Sequence, residues 1–268
     1  MKAHRIYALI LRHLYNFKHS FDKYTEIFLF PIIDVLLWGM TSLYFQKTLA
    51  AQSGTPGANY FVIAIVSAII FWLITLRISS DVPFGLLDDI WSRNLINIFG
   101  SPLTLSEWIV ASVIVGFIKA FLSASLVALL AFFLYSVNIL TFGYYLAPFV
   151  FLLVLAGTWI ALLISGLIMR YGQRIQALAW SFGMILLPFS AIYYPVSILP
   201  QWAQYIARVL PTTYIFESGR YVLTTGTMKW SLFWIGLGLN CFYISLAGLY
   251  LYHAFRIRLR KGILRMQL

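Results

Sequence analysis

Two charged residues lie deep inside long apolar segments of this 268-residue chain, where ionised side chains are rare. Asp34 is about ten residues, or roughly 15 Å at the helical rise, into the first apolar segment. Lys119 lies at a comparable depth in the third apolar segment. Charges at this depth line a path for a substrate or an ion, or they pair with each other and fix two helices. We favour the mutual ion pair.

A further charged pair, Glu217 and Arg220, is spaced three residues apart, so the two side chains can meet on one helical turn. Such a pair suits local packing and equally suits the control of a gate or a substrate. The spacing leaves both interpretations open.

Motifs that carry catalysis are absent from the sequence. It has no GxxxxGK[ST] phosphate-binding loop, no HExxH and no GxSxG. The histidines, His4, His13, His19 and His253, are near the chain ends and lack ligand spacing, and Cys241 is the single cysteine. We therefore expect that the chain is not an enzyme, and that it holds no metal and no cofactor of its own.

The composition is that of an integral membrane protein. Hydrophobic residues make up 62% of the chain and charged residues only 10%, with a mean hydropathy of +0.87; a soluble domain has about 25% charged residues. The net charge of +11 is concentrated at the ends of apolar segments, which encodes topology and does not indicate nucleic-acid binding. We expect one membrane domain, residues 1–268, with lipids and no nucleic acid around it.

Six membrane spans can be assigned by length and apolarity. Their approximate ranges are 26–46, 59–80, 105–136, 147–170, 174–193 and 229–253. If the N-terminus is inside, fourteen of the 19 Lys and Arg residues fall on the inner side and four on the outer side. Both termini are therefore predicted to be cytoplasmic.

Residues 1–23 are predicted to form an interfacial helix that lies flat on the membrane. Polar and basic residues fall on one helical face, namely Arg5, Arg12, Asn16 and His19. Apolar and aromatic residues fall on the other, namely Tyr7, Ile10, Leu14, Phe17 and Phe21. The basic face would contact anionic headgroups; the alternative is an ordinary solvated basic tail.

A second two-faced segment, IWSRNLINIFGSP (90–102), follows span two on the predicted cytoplasmic side. At helical spacing one face is apolar and the other polar. The apolar face comprises Trp91, Leu95, Ile98 and Phe99, and the polar face comprises Arg93, Asn94 and Asn97. Thr104 and Glu107 have the spacing of a capping box that starts span three.

Between spans five and six, residues 193–226 are too polar to cross a bilayer and too apolar for a free loop. Pro195, Pro200 and Pro211 divide this stretch, which predicts one helix from Gln201 and another from near Pro211. Two short helices of this kind can enter the outer leaflet and return if protein or water covers their backbone. A re-entrant hairpin is predicted.

Six spans and these two segments together resemble the type-2 ABC-transporter permeases, the six-span membrane subunits of ABC exporters. The family's signature between spans five and six is matched by Tyr194, Pro195, Leu199, Pro200, Trp202, Pro211, Glu217 and Arg220. The segment WSRNLINIFGSPLTLSEW is similar to the family's cytoplasmic loop after span two. The chain departs from the family at residues 93–96, Arg-Asn-Leu-Ile, where a Gly-Thr-Leu-Glu-like core is usual.

The resemblance implies that residues 88–102 form a coupling helix whose apolar face docks into a groove on a separate ATPase. Its candidate contact residues are Asp88, Asp89, Trp91, Arg93, Leu95, Ile98, Phe99 and Pro102, with the three charged ones giving charge complementarity. The candidate outer-gate residues are Tyr194, Pro195, Pro200, Trp202, Pro211, Glu217 and Arg220. A helix that merely rests on the membrane is the alternative for 88–102.

The predicted fold is therefore an all-α integral membrane protein with six transmembrane helices, an interfacial helix, a coupling helix and a re-entrant hairpin. The resemblance implies a homodimer with two ABC ATPase subunits, which would bind ATP and Mg, in a prokaryotic cytoplasmic membrane. It would export an amphipathic drug-like, lipid or lipo-oligosaccharide substrate, or alternatively a polysaccharide or lipid-linked glycan. A stand-alone secondary transporter or channel would instead predict inverted repeats, and the sequence shows none.

Overall fold

The computed structural model describes residues 2–18, 24–53 and 59–261, and every regular element in these ranges is helical. This confirms the all-α prediction for that part of the chain. A π-helical turn, Thr25–Leu29, runs directly into α2. The longer helices are α1 (Ala3–Lys18), α2 (Phe30–Ser53), α3 (Asn59–Trp91), α5 (Leu105–Tyr135), α6 (Leu146–Tyr171) and α10 (Trp230–Lys261).

Shorter helices lie between these long ones. They are α4 (Leu95–Gly100), α7 (Ala177–Leu186), α8 (Gln201–Val209) and α9 (Pro211–Thr225). Single 3-10 segments are Ile139–Tyr145, Gly172–Ile175, Leu187–Phe189 and Val196–Ile198.

Within the described residues, five helical segments are long and apolar enough to cross a membrane. They are Thr25–Thr48, Val62–Trp91, Leu105–Tyr135, Ile139–Ile175 and Trp230–Arg260. Integral membrane character is thus supported, whereas the fifth predicted span, 174–193, is only the short apolar helix Ala177–Phe189. Thirteen residues extend about 20 Å at the helical rise, less than the roughly 30 Å hydrocarbon core.

Helix α3 continues eleven residues past the predicted end of span two and ends at Trp91. Pro83 lies inside it without ending it. A proline removes only one backbone hydrogen bond, and tight packing on both sides can hold the helix together. As a result, several charged residues that the sequence suggested were in a loop belong to a packed helix.

The core centres on α6, which packs against α3 on one side and α10 on the other. The approach to α3 is close at Gly157, where an added Cβ would lie 2.8 Å from the Ile78 Cβ and 2.9 Å from the Thr75 carbonyl oxygen. One apolar cluster fills the half of the bundle that includes α9. A second cluster fills the half near α1 and α4 and includes the fully buried Trp108.

Candidate functional site

The chain breaks its helix at residues 92–94, inside the stretch that the sequence predicted as one helix, 88–102. Arg93 N–H donates to the Ile90 carbonyl at 3.1 Å and Asn94 N–H to the Asp89 carbonyl at 2.9 Å. Arg93 takes a left-handed conformation with φ 54°, which redirects the chain into α4. The prediction of one continuous helix is therefore wrong: Asp88 and Asp89 lie in the last turn of α3, and α4 has only six residues.

The apolar face of α4 points into the protein. Leu95 is 2% exposed and Ile98 is 8% exposed, both within the apolar cluster that contains Trp108. The Phe99 ring packs on Phe255 of α10 at a centroid distance of 4.8 Å and lies 6.5 Å from the Trp108 ring of α5. The expectation that Leu95 and Ile98 face outward is wrong, because the chain itself provides the groove for them.

The opposite side of α4 and the adjoining turn are exposed. Trp91 is 48% exposed and Ile96 is 37% exposed, and Arg93, Asn97 and Pro102 are also exposed. We call the group formed by Trp91, Arg93, Ile96 and Asn97 the α4 surface. It combines one aromatic and one aliphatic side chain with polar groups, and it differs from the predicted docking face in lacking Leu95, Ile98 and Phe99.

Helix α1 contacts the chain on both sides of α4. On one side Arg12 forms an ion pair and hydrogen bond with Asp89, in the last turn of α3. On the other, Arg5 donates to the carbonyl oxygen of Pro102 and its guanidinium lies 3.7 Å from Glu107. We call these contacts, with the hydrogen bond from Lys2 N–H to Glu107 at 2.7 Å, the α1 clamp.

Glu107 joins the clamp to the start of α5. Its carboxylate accepts from Thr104 N–H at 3.0 Å, while the Thr104 hydroxyl accepts from Glu107 N–H at 3.3 Å. This is the predicted capping box, and it is confirmed. Glu107 is 1% exposed and Asp89 is 2% exposed. Each of these buried carboxylates has an arginine beside it, which compensates its negative charge. Helices α1, α3, α4 and α5 are thereby fixed to one another around the α4 surface.

The basic side of α1 contacts the protein itself. Arg5 and Arg12 bind carboxylates of the chain while 23% and 27% of their side chains stay exposed, and contact of this helix with lipid headgroups stays a prediction. Leu9 is buried against the core, whereas Tyr7 and Tyr15 are more than 60% exposed. The predicted positions His19 and Phe21 lie outside the described residues.

The two deep charges do not pair with each other, so the predicted Asp34–Lys119 ion pair is wrong. Lys119 Nζ lies 3.5 Å from the carboxylate of Asp81 on α3. Arg77, one turn before Asp81, pairs with Glu26 at 3.2 Å and attracts Asp34 electrostatically. The sequence analysis missed these partners because it ended span two at residue 80, and the i, i+4 spacing of Arg77 and Asp81 would have suggested a pair between those two residues that the structure does not form.

At the other end of the bundle, Glu217 and Arg220 do pair, with 3.1 Å between Arg220 Nη2 and Glu217 Oε1. The same Oε1 accepts from Val196 N–H at 2.8 Å, and Arg220 donates to the Ile192 carbonyl at 3.4 Å. Both charges thus hold the segment between α7 and α8 against α9. The pair therefore packs this segment, which is the first of the two roles that the sequence left open; control of a gate or a substrate stays a prediction.

The remaining candidate gate residues surround this segment. Tyr194 donates its hydroxyl to the Pro188 carbonyl at 2.8 Å, and Pro195 precedes the 3-10 turn Val196–Ile198. Pro200 directly precedes α8, and Pro211 is the first residue of α9. Trp202 on α8 is 63% exposed. Two short helices are therefore present where they were expected, and their depth in a membrane stays a prediction.

Comparison with known sequences adds an independent finding. A sequence model of the family described as ABC-2 type transporter matches residues 5–224 of the chain. The match includes every residue of the α1 clamp except Lys2, the whole α4 surface and nearly all of α9. A search of curated proteins gives no match.

Proposed function

The chain belongs to the ABC-2 type transporter family, and from this premise we propose that it is the membrane-spanning subunit of an ATP-driven exporter. The permease itself is a transmembrane component and not an ATPase. In the proposal a separate ABC ATPase binds ATP and Mg and docks on the α4 surface. We propose a cytoplasmic location for both chain termini, as the distribution of Lys and Arg favours. The proposed prokaryotic membrane rests on the likeness to type-2 exporters.

The observation that carries this proposal is the α4 surface held by the α1 clamp. An isolated helix of six residues is unstable, so α4 exists because the rest of the chain fixes it. A helix resting on lipid would turn its apolar face to the membrane, but Leu95 and Ile98 are buried in their own chain. A protein partner is therefore the better occupant, and Trp91 and Arg93 are residue types enriched at interface centres.

The clamp suggests how ATP binding would move the membrane helices. When two ATPase subunits close on ATP, they push on the α4 surface. Because Asp89 is in α3 and Glu107 is in α5, and both are bound by α1, the push reaches α3 and α5 together. The two helices would then tilt as one unit and change access to a path at membrane depth.

A second copy of the chain completes the proposed exporter. Helix α7 with its 3-10 continuation spans only residues 177–189, and non-helical turns and bends follow it. Backbone of this kind is tolerated at membrane depth only against protein or water. A homodimer with α7 toward its centre supplies such an environment, and the re-entrant arrangement of α8 and α9 fits the same requirement.

The proposed substrate is amphipathic: a drug-like molecule, a lipid or a lipo-oligosaccharide. A polysaccharide or lipid-linked glycan is the alternative substrate class. The proposed direction, out of the cytoplasm or the inner leaflet, rests on the likeness to type-2 exporters.

Co-purification with an ATPase tests the proposal. The tagged permease is expressed in its native cells, solubilised in mild detergent and purified by the permease tag, and any co-purifying ABC ATPase is identified by mass spectrometry. We expect an equimolar complex that hydrolyses ATP in a Mg-dependent manner. Transport by the purified permease alone, driven by an ion gradient and with no ATPase bound, would instead establish a secondary transporter.

A further inference from the structure

A cavity of about 220 Å³ opens between α2, α3 and α7, at the level of the deep charges. Its lining includes Glu26, Asp34 and Arg77, and the rest is largely apolar and aromatic, with Phe30, Trp180 and Met184 among the contributors. A second, larger cavity of about 750 Å³ beside α5 has no charged residue in its lining. The two cavities therefore differ in chemistry, and only the first places ionised groups next to apolar walls.

The charged side chains that line the first cavity differ in how free they are to contact a bound molecule. Arg77 is 6% exposed, and its guanidinium is hydrogen-bonded to Glu26 at 3.2 Å. Asp34 is half-buried and makes no hydrogen bond or ion pair within 4 Å to the described part of the chain, although Arg77 attracts it from farther away. The charge that a molecule entering the cavity meets is thus the Asp34 carboxylate.

The net charge of the cavity lining is negative as well. Among the described residues that line the cavity, the Glu26–Arg77 pair is neutral and Asp34 adds one negative charge. An anion would meet a carboxylate at membrane depth, where repulsion is poorly screened. A cation would neutralise that carboxylate, so the cavity favours a positively charged guest.

The aromatic walls favour the same guest. Phe30 is 56% exposed and Trp180 is 50% exposed, so ring surface is available at the cavity. The Trp180 ring is held by Phe84 of α3 at a centroid distance of 4.7 Å. Exposed aromatic faces attract quaternary or protonated amines through cation–π interaction, and Met184 offers an adaptable apolar contact.

We propose that this cavity is a binding site for lipophilic cations, in which Asp34 receives the positive group and Phe30, Trp180 and Met184 contact the apolar body. As a statement about substrate the inference rests on the proposed exporter function, and it narrows the amphipathic substrate to amphipathic amines. Arg77 is a positioning residue, because it holds Glu26 and leaves Asp34 as the accessible charge.

A cysteine reporter tests the charge preference on the full-length chain. Cys241 is replaced by serine, and Met184→Cys is reacted with two methanethiosulfonates that carry a trimethylammonium or a sulfonate. Each reagent's rate with the protein is divided by its rate with a free thiol in solution. We expect this normalised rate to be about tenfold higher for the cationic reagent, because a nearby, poorly screened carboxylate attracts it. Benzyltrimethylammonium should slow the reaction, and phenylmethanesulfonate should not.

Two variants of Asp34 and one control position complete the experiment. Asp34→Asn should abolish both the rate preference and the protection, whereas Asp34→Glu should retain them. Leu140→Cys, at the charge-free cavity, should show neither effect. Equal rates for the two reagents, no reaction with either, or a preference unchanged by Asp34→Asn would overturn the proposal. If Asp34→Asn does not fold, the test uses the variant that keeps Asp34. There, a higher rate for the cationic reagent together with protection by benzyltrimethylammonium supports the proposal, and the lack of either overturns it.

This outcome is separable from that of the proposed function, because the reporter experiment needs no ATPase. Cation preference without an associated ATPase would leave the site intact and refute the exporter. An ATPase complex in which the cavity shows no cation preference would support the exporter and refute the cation site.

Discussion

The guanidinium of Arg12, in the N-terminal helix, is ion-paired with the carboxylate of Asp89, 77 residues further along and in the last turn of α3. The Asp89 side chain is 3% exposed, so Arg12 supplies a compensating charge to a buried carboxylate. With the Arg5–Glu107 contact on the other side of α4, this pair makes α1 part of the element that carries the α4 surface.

Removal of Arg12 should destabilise the protein. Arg12→Gln leaves the Asp89 carboxylate with less compensation; because Arg12 is 27% exposed, solvent screens part of the effect. We expect a loss of about 2 kcal/mol in the free energy of unfolding, below the value for a fully buried pair. Thermal unfolding in detergent measures it, with the exposed Arg93→Gln as a control. The Arg12→Gln, Asp89→Asn double variant should recover most of the loss, and a parent-like midpoint for Arg12→Gln would contradict the clamp.

Lys119 should be coupled energetically to Asp81 and not to Asp34. Its ammonium lies 3.5 Å from the Asp81 carboxylate, so a double-mutant cycle of Lys119→Met with Asp81→Asn should give a coupling of about 1–2 kcal/mol. The cycle with Asp34→Asn should be additive. Unfolding midpoints of the single and double variants provide both values, and coupling to Asp34 alone would restore the ion pair predicted from sequence.

Glu217 should stabilise the segment between α7 and α8 through its acceptor oxygen. Glu217→Ala removes the acceptor for Val196 N–H and the partner of Arg220, and should cost about 1–3 kcal/mol. Glu217→Gln keeps an oxygen for Val196 N–H and should cost less. Thermal unfolding ranks the variants, and an alanine variant as stable as the parent would remove this role.

The orientation of the chain can be checked with single cysteines in a Cys241→Ser background. Leu140 is 74% exposed next to α6, and Gln173 is exposed where α6 ends. Since α6 separates them, Leu140→Cys should react with an impermeant maleimide from outside intact cells and Gln173→Cys only after permeabilisation. Reaction of both from outside would refute the proposed topology.

Sequence patterns predicted those features that depend on local chemistry. Thr104 and Glu107 form a capping box because the motif is complete within four residues. Glu217 and Arg220 pair because they share a helical turn. Long apolar runs likewise identified most of the membrane helices.

Features that depend on tertiary contacts could not be read from the sequence. The sequence correctly predicted that one face of α4 is apolar. The same pattern arises whether that face packs against its own chain or against a partner, so the pattern alone could not distinguish the two. Similarly, Arg5 and Arg12 have the spacing of a lipid-binding face, and only the fold shows carboxylates within their reach. Asp81, the partner of Lys119, was missed because α3 continues through Pro83 to Trp91, and this continuation depends on tertiary packing.

The central claim is that an ATPase docks on the α4 surface, and cross-linking from Asn97 tests it most directly. In the Cys241→Ser background, Asn97→Cys is modified with a benzophenone maleimide, and the permease is illuminated in membranes that also contain the ATPase. Leu140→Cys, also exposed but at the other end of α5, is the control. We expect a light-dependent product of permease plus ATPase mass from position 97 and none from position 140. If position 97 cross-links only to lipid while the ATPase still co-purifies, docking on the α4 surface is contradicted.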